Sequence, residues 1–220
     1  MAEHGGAAAT ALPWRYIVVE GVIGAGKTSL TKRLAGHLGA QVNLEVVEEN
    51  PFLVKFYQDR SALAFQTQLF FLLSRYRQQQ GLLQGDLFAQ SVVSDYLFAK
   101  DRIFANLNLR DDELVLYDQL ATILEQRILQ PDLVIFLQAS TDVLMERIAR
   151  RGRSFERDMN RDYIDALNGA YSYYFHHYRQ TPLLVVNTND FDYVNVPRDF
   201  ERLFDQLRED FQGTRFFAPA

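Results

Sequence analysis

Residues 21–28 read Gly21-Val-Ile-Gly-Ala-Gly-Lys27-Thr28, and this stretch decides the fold class of the chain. It matches the pattern GxxxxGK(S/T), in which glycines let the backbone curl so that successive N–H groups face phosphate oxygens. A β-branched run at 16–20 precedes it, and apolar residues at helical spacing follow over 28–38. We therefore predict a strand, a phosphate-binding loop and a helix whose N-terminus adds the positive end of its dipole. A glycine-rich turn that only caps a helix needs neither the lysine nor this spacing.

The loop is a candidate site for a nucleoside triphosphate. We expect the ammonium of Lys27 to contact the outer phosphates of ATP, or of another nucleoside triphosphate donor. We expect the hydroxyl of Thr28 to bind Mg²⁺ beside those phosphates. The candidate ATP-binding residues in this segment are Gly21, Val22, Ile23, Gly24, Ala25, Gly26, Lys27, Thr28 and Ser29.

The rest of the chain alternates short apolar runs with long helical patterns. The further apolar runs lie at 42–47, 91–94, 133–137 and 183–186. The main helical patterns lie at 61–84, 114–129 and 161–179. Such alternation predicts an α/β fold, with a mainly parallel sheet covered by helices. We predict a flexible tail at 1–14, a single domain at 15–212 and a C-terminal tail at 213–220.

Composition and charge exclude several function classes. The chain has 220 residues, 48% of them hydrophobic, and no cysteine, so it can bury the core of one domain without disulfide bonds. Its formal net charge of −5 argues against a broad surface for polyanions, and we expect no nucleic-acid partner. We find no run of about 18 apolar residues and no cleavable leader. A cytoplasmic protein with no membrane partner is therefore expected.

Five arginines cluster around a glycine beyond the predicted strand at 133–137. They are Arg147, Arg150, Arg151, Arg153 and Arg157. Guanidinium groups suit the charge that spreads over a transferring phosphoryl group, and a mobile lid would exclude water from it. A basic cluster taken alone is more typical of a solvated helix face. The phosphate-binding motif upstream favours a lid.

A carboxylate is needed near the transferred phosphoryl group, because an attacking hydroxyl must give up a proton. Glu45 lies in the apolar run at 42–47, near the edge where parallel sheets place ligand groups. It is the leading candidate for a general base. Glu48 and Glu49 precede Asn50-Pro51 and are more typical of solvated charges near the start of a helix.

Three further stretches carry a resemblance to a known family. They are LEVVEENPFL at 44–53, FYQD at 56–59 and AFQTQLFFLLSR at 64–75. Together with the loop at 21–28 and the Arg-Gly-Arg segment, they resemble the bacterial deoxyadenosine/deoxyguanosine/deoxycytidine kinases over about residues 15–210. The resemblance implies a P-loop NTPase fold with a five-stranded parallel sheet, an arginine-rich lid and a homodimer. It also implies transfer of a γ-phosphoryl group to the 5′-hydroxyl of a deoxynucleoside, in nucleotide salvage.

The resemblance implies a role for each matching residue. Glu45 matches the carboxylate that accepts the proton of the 5′-hydroxyl. Tyr57 and Glu156 match residues that bond the 3′-hydroxyl of the sugar, and Gln68 and Arg75 match residues that contact the edge of the base. Without the resemblance, packing on an amphipathic helix would explain Gln68 and Arg75 equally well. The lid residues that match phosphate contacts are Arg147, Arg151 and Arg153.

The chain departs from the family at two places. Many members carry Glu-Arg-Ser after the third strand, where this chain has Ser94-Asp95-Tyr96. We predict that Asp95 binds Mg²⁺ with Thr28 or orients catalytic groups. Further along, the ungapped match puts Lys100 at an aspartate that assists base reading, with Asp101 beside it as the candidate residue. The base is therefore left open, and a purine deoxynucleoside, deoxyadenosine first, is favoured on overall resemblance.

The turn after the last predicted strand supplies further candidates for ATP binding. In the family this loop borders the adenine, and the matching residues are Asn189, Asp190 and Phe191. An ordinary Asx-rich turn would explain them equally well. Two other functions stay open: a P-loop kinase for another small substrate, such as a nucleoside monophosphate, and a nucleotide-binding module without catalysis.

Overall fold

The computed structural model describes residues 12–84, 91–153, 156 and 159–219, and it has the predicted α/β fold. The strands are β1 (Tyr16–Gly21), β2 (Gln41–Asn43), β3 (Val92–Ser94), β4 (Leu133–Gln138), β5 (Leu183–Asn187) and β6 (Thr214–Phe217). The helices are α1 (Lys27–Leu38), α2 (Leu53–Gln58), α3 (Arg60–Gln84), α4 (Lys100–Asn108), α5 (Asp111–Glu125), α6 (Thr141–Arg151), α7 (Arg161–His177) and α8 (Pro197–Asp205).

The strands form one sheet in the order β2-β3-β1-β4-β5-β6, and every pairing in it is parallel. From β1 the chain runs to β2 and then to β3 on one side of β1, and it then crosses to β4 on the other side, so the strand order reverses at β1. In parallel sheets the crevice beyond the carboxyl ends of the strands at such a reversal is the usual ligand site. The loop at 21–28 begins at that end of β1.

The sheet has six strands where five were expected. The extra strand, β6, pairs with β5 from Leu183↔Thr214 to Val186↔Phe217, inside the segment predicted as a C-terminal tail. It is a four-residue edge strand, and Phe216 is 74% exposed. A short edge strand with one exposed face has little hydrophobic pattern of its own. Residues 214–217 form a strand because they pair with β5.

The centre of the core is formed by the strands around β1. Ile17, Val18 and Val19 are fully buried, as expected for a parallel strand covered by helices on both faces. Beside them Phe136 of β4 stacks on Phe175 of α7, with ring centroids 4.3 Å apart. This packing gives the loop at the end of β1 a rigid base.

The fold already includes part of the predicted N-terminal tail. Trp14 is only 5% exposed, and its indole N–H donates to the carbonyl oxygen of Leu207 at 2.9 Å. Residues 1–11 of that tail lie outside the described residues.

Helix α3 carries two predicted substrate residues. Leu63 has non-helical dihedrals (φ −134°, ψ 20°), so the chain kinks near the start of this helix. Beyond the kink, Gln68 and Arg75 are both buried and lie about two turns apart. Neither α3 nor any other helix in the described part of the chain is long and apolar enough to span a membrane.

Candidate active site

The loop at 21–28 adopts a backbone that only glycine tolerates at two positions. Gly24 and Gly26 have φ values of 88° and 95°, in the left-handed region. A Cβ atom on Gly24 would lie 2.7 Å from the carbonyl oxygen of Leu144, and one on Gly26 would overlap the hydroxyl of Tyr193. The loop is therefore packed tightly between α6 and the chain before α8.

Gly24→Ala is expected to destabilise the protein by about 1–3 kcal/mol, because it adds backbone strain and a clash with a carbonyl that belongs to α6. The measurement is chemical denaturation followed by circular dichroism. Gly36→Ala is the matched control, since Gly36 lies inside α1 with no atom within 4 Å of its added Cβ. The control should be stabilised by about 0.5–1 kcal/mol. Equal effects at both glycines would contradict the proposed strain.

Lys27 folds back over the loop. Its ammonium donates to the carbonyl oxygens of Gly21 at 2.8 Å and Val22 at 3.1 Å. Burial, together with the nearby charge of Lys100, lowers the pKa of Lys27 to about 8. A phosphate group beside this ammonium would supply the opposite charge that favours its protonated form.

Glu45 lies just beyond β2 between two cations. Its Oε1 accepts hydrogen bonds from Nε of Arg75 at 2.9 Å and from Nη2 of the same residue, and its Oε2 accepts one from Nζ of Lys100 at 2.7 Å. Burial alone would raise the pKa of Glu45, but the charges and hydrogen bonds of Arg75 and Lys100 hold it well below its usual range. The carboxyl group therefore stays ionised in the folded protein.

Asp101, and not Lys100, is the residue that pairs with Arg75. Nη1 of Arg75 donates to one oxygen of Asp101, and the hydroxyl of Tyr117 donates to the other at 3.0 Å. Asp101 is 1% exposed and does not line the cavity beside Glu45. It acts behind Arg75 and fixes the guanidinium, while Lys100 contacts Glu45.

Asp95 links the loop at 21–28 to the segment that carries Glu45 through two hydrogen bonds. Its Oδ2 accepts a hydrogen bond from the hydroxyl of Thr28 at 2.6 Å, and its Oδ1 accepts one from the backbone N–H of Glu45 at 2.7 Å. Ser94 is fully buried, and its hydroxyl contacts Asn43 and the carbonyl of Tyr96. Ser94 and Asp95 stand where many members of the family carry Glu-Arg, and of these two residues only Asp95 lines the cavity beside Glu45.

The described part of the arginine segment closes over the same region. Arg151 contacts Glu156 through Nη2 at 2.6 Å and Nε at 3.1 Å, which is a two-point ion pair. Arg153 pairs with Glu48 at 3.2 Å, although Glu48 is 62% exposed. Such an exposed pair contributes at most about 1 kcal/mol. Arg157 lies outside the described residues.

Two clefts meet at the loop at 21–28. A cavity of about 240 Å³ is walled by α2, α3, the start of α4 and the arginine segment. The predicted substrate residues that line it are Glu45, Tyr57, Gln68, Arg75, Asp95 and Glu156. A wider cleft of about 810 Å³ lies on the other side of the loop, below α6. Both clefts are lined by Lys27, Thr28, Arg151 and Arg153.

The wider cleft contains most of the predicted ATP-binding residues. Those that line it are Gly24, Gly26, Lys27, Thr28, Ser29, Asn189, Asp190 and Phe191. Ile23 lines the smaller cavity instead, and Gly21, Val22 and Ala25 are buried in the base of the loop. Among the wall residues Phe191 is only 4% exposed, because it packs against Tyr193 and Phe217.

Arg147 borders the wider cleft on its outer side. Its Nη1 donates to the hydroxyl of Thr188 at 3.1 Å, and its Nη2 donates to the carbonyl of the same residue at 2.5 Å. Asn189 is held by its side-chain oxygen, which accepts the backbone N–H of Ser140 at 2.8 Å. The roles assigned to these residues from the sequence stay predictions.

Two charged residues of the site were missed as functional candidates. The sequence alone places Lys100 only at a base-reading position and Glu20 only in a strand. Glu20 is fully buried, at the end of β1 and next to the loop, and it lies 3.8 Å from the ammonium of Lys100. For Glu20, the signal available in the sequence was a charged residue at the end of an apolar strand.

Comparison with known proteins decides the family. The deoxynucleoside kinase family model matches residues 17–211, which is most of the chain. This chain belongs to the deoxynucleoside kinase family. It is therefore a phosphotransferase that acts on a hydroxyl group, and the resemblance seen in the sequence is confirmed.

Several relatives match this kinase over nearly their full length. The deoxyguanosine kinase of Bacillus subtilis is 33% identical over 199 residues, which cover 88% of this chain and 96% of that protein. The deoxyadenosine kinase of Lactobacillus acidophilus is 33% identical over 89% of this chain and 97% of that protein. The deoxyadenosine/deoxycytidine kinase of Bacillus subtilis is 30% identical over 87% of this chain and 90% of that protein.

Solved structures agree with this assignment. Deoxyadenosine kinase from M. mycoides with bound dATP matches with a TM-score of 0.77 and 26% identity, over 88% of this chain and 100% of that one. The same enzyme with bound dCTP matches with a TM-score of 0.73 and 27% identity, over 87% of this chain and 98% of that one. The relatives carry different nucleosides in their names, so they leave the preferred base of this kinase open.

Proposed function

We propose that this kinase transfers the γ-phosphoryl group of ATP to the 5′-hydroxyl of a deoxynucleoside, in nucleotide salvage. We propose purine deoxynucleosides, deoxyadenosine first, as the favoured acceptors. The observation that carries the proposal is the meeting of two clefts at Lys27, Thr28 and two lid arginines, with Glu45 on the side of the smaller cavity.

The two clefts suit two reactants of different chemistry. The wider cleft is bordered by a phosphate-binding loop and arginines, which suits a triphosphate. The smaller cavity is lined by Tyr57, Phe71 and Gln68, which suits an aromatic base and a sugar. A phosphoryl group that moves from one cleft to the other passes Lys27, Arg151 and Arg153.

The transfer is a single displacement in which Glu45 accepts the proton. The bond from the 5′-oxygen to the γ-phosphorus forms while the bond from that phosphorus to the β–γ bridging oxygen breaks. The electron pair of the broken bond leaves with the nucleoside diphosphate, and the proton of the hydroxyl passes to Glu45. The low pKa of Glu45 makes it a weak base, which suits a loose transition state in which the proton leaves late.

The donors present at the loop suit Mg²⁺. The hydroxyl of Thr28 and the carboxylate of Asp95 lie 2.6 Å apart, and Mg²⁺ prefers such oxygen ligands. Among the described residues no group of three or more His, Cys, Asp and Glu forms a metal site, so phosphate and water oxygens would complete the coordination. Bound Mg²⁺ would neutralise charge on the transferring phosphates.

Asp95→Asn is expected to raise the concentration of free Mg²⁺ needed for half-maximal activity by about 10–100-fold. The amide keeps a side-chain oxygen for the N–H of Glu45 but removes the negative charge that a metal ion needs. The measurement is initial rate against free Mg²⁺ at saturating ATP and nucleoside. Asp142→Asn, on an exposed part of α6, is the control. An unchanged Mg²⁺ requirement in Asp95→Asn would remove Asp95 from the metal site.

The proposed acceptor class is tested by a steady-state assay with Mg·ATP and each of the four natural deoxynucleosides, with separation of the monophosphate product. Formation of a purine deoxynucleoside monophosphate at the highest kcat/KM is the expected result. Greater activity on deoxycytidine or thymidine would overturn the proposed base preference. No product from any of the four, with ATP binding intact, would overturn the proposed function and favour a nucleoside monophosphate or another acceptor.

We also propose a homodimer and a cytoplasmic location, as first expected from the sequence. Helix α5 presents Val115, Leu116 and Ile123, which are 61%, 48% and 63% exposed. Ile123 lies seven positions after Leu116 and eight after Val115. All three side chains therefore point within about 100° of one another around the helix and form one face. An exposed apolar face of this kind supports association with a second copy. The mass of the protein in solution tests the homodimer.

A further inference from the structure

Lys100 is a buried cation at the start of α4, and it bridges two carboxylates. Its ammonium donates to Oε2 of Glu45 at 2.7 Å and lies 3.8 Å from Oε1 of Glu20. Its side chain is only 3% exposed, yet it lines the smaller cavity together with Lys27 and Glu45. A buried lysine that still reaches a ligand cavity is a candidate for direct contact with what binds there.

Glu20 holds Lys100 independently of Glu45. Its Oε2 accepts the backbone N–H of Gly21 and its Oε1 accepts that of Leu97, both at 2.9 Å. These bonds tie the carboxylate to the end of β1 and to the chain before α4. The anchor keeps the ammonium of Lys100 in place when Glu45 changes its protonation.

Lys100 contacts the oxygen of Glu45 that faces away from Arg75. The ammonium of Lys100 donates to Oε2 of Glu45, whereas Arg75 donates to Oε1. Arg75 cannot take the place of Lys100, because its guanidinium is already shared between Glu45 and Asp101. Loss of Lys100 would therefore remove a buried cation from this carboxylate and from the cavity that both residues line.

We propose that Lys100 holds the carboxylate of Glu45 towards the acceptor hydroxyl and then binds the phosphoryl group of the monophosphate product. This inference rests on the proposed function. Once Glu45 has taken the proton of the hydroxyl, it is neutral, and the ammonium of Lys100 is left next to the new 5′-phosphate. Lys100 thus stabilises an anion at each stage, first the carboxylate and then the phosphoryl oxygens.

The test compares binding of a deoxynucleoside with binding of its 5′-monophosphate by isothermal titration calorimetry. The acceptor is the deoxynucleoside that the wild-type kinase phosphorylates best. Lys100→Met should weaken monophosphate binding by about 10–100-fold, the range typical of a lost hydrogen bond to a charged group, and lower kcat by a similar factor. It should change deoxynucleoside binding by less than about threefold, because the nucleoside carries no phosphate charge. Lys100→Arg keeps the cation and should retain most of the monophosphate affinity.

The control is Lys55→Met, at an exposed lysine of α2 that does not line the cavity, and it should leave all three quantities unchanged. Thermal melting of each variant shows whether it is folded, and Lys100→Gln replaces Lys100→Met if the methionine variant does not fold. Equal losses of nucleoside and monophosphate affinity would overturn the proposal, since they would show a role in cavity shape alone. Unchanged monophosphate affinity, or the same loss in Lys100→Arg, would also overturn it.

The proposal and the proposed function fail in different ways. If the wild-type protein makes no monophosphate from any deoxynucleoside, the proposed function fails and the inference falls with it. If the wild-type protein is active and Lys100→Met binds monophosphate as tightly, only the role of Lys100 is wrong.

Discussion

Glu45→Gln should lower kcat by about 10²–10⁴-fold and leave the affinity for ATP nearly unchanged. Glutamine keeps the size of the side chain and still accepts hydrogen bonds from Arg75 and Lys100 through one oxygen. It cannot accept the proton of the acceptor hydroxyl at neutral pH. Since Glu45 lines the smaller cavity and not the wider cleft, the loss should fall on turnover. The measurements are steady-state rates at saturating substrates and ATP binding by calorimetry.

The matched control for this variant is Glu49→Gln, four positions along the same segment. Glu49 is exposed and lines neither cleft, so its turnover should match that of the wild-type protein. Glu45→Gln with wild-type turnover would remove Glu45 from its role as the base. A fall in ATP affinity as large as the fall in kcat would instead show a general disturbance of the loop.

Lys27→Met should lower kcat/KM for ATP by about 10²–10³-fold, the usual effect of removing one group that stabilises developing charge. The ammonium is the one cation of the loop at 21–28, and it lines both clefts. Methionine has a similar length but cannot donate to a phosphate oxygen. Deoxynucleoside affinity should change little, because the residues predicted to contact the base, Gln68 and Arg75, lie on α3 and not on the loop at 21–28. The measurements are kcat/KM for ATP and a separate binding titration with the deoxynucleoside.

Lys55→Met again supplies the control, since it removes the same charge from an exposed position on α2. Its kcat/KM for ATP should equal that of the wild-type protein. If Lys27→Met kept more than about a tenth of the wild-type kcat/KM, the phosphoryl charge would be stabilised mainly elsewhere, and Arg151 and Arg153 would be the next residues to replace.

Much of the architecture could be predicted because its signals are local. The apolar runs at 133–137 and 183–186 became β4 and β5 with one residue added at the end of each. The helical pattern at 161–179 became α7, which ends at His177. Buried parallel strands are continuous apolar segments, so they are visible without knowledge of their partners.

The errors concern features whose signal is not local. Strand β6 was predicted as a tail, because an edge strand of four residues has no marked pattern of its own. The ungapped match put Lys100 at a base-reading position, with Asp101 beside it as the candidate residue, and said nothing of the partner of either side chain. These two neighbours on α4 carry opposite charges, and only their packing against α3 assigns Asp101 to Arg75 and Lys100 to Glu45.

The sequence by itself determined the loop at 21–28 and the family, because GxxxxGK(S/T) specifies a local backbone shape that needs no distant partner. It also placed Glu45 near the carboxyl edge of the sheet. Only the tertiary structure decided which charges surround that carboxylate. Arg75 lies 30 positions from Glu45 and Lys100 lies 55 positions from it, so their contacts exist only once α3 and α4 pack beside the segment that follows β2. Ion pairs in a buried site depend on distances of a few ångströms, which sequence spacing does not encode across separate elements.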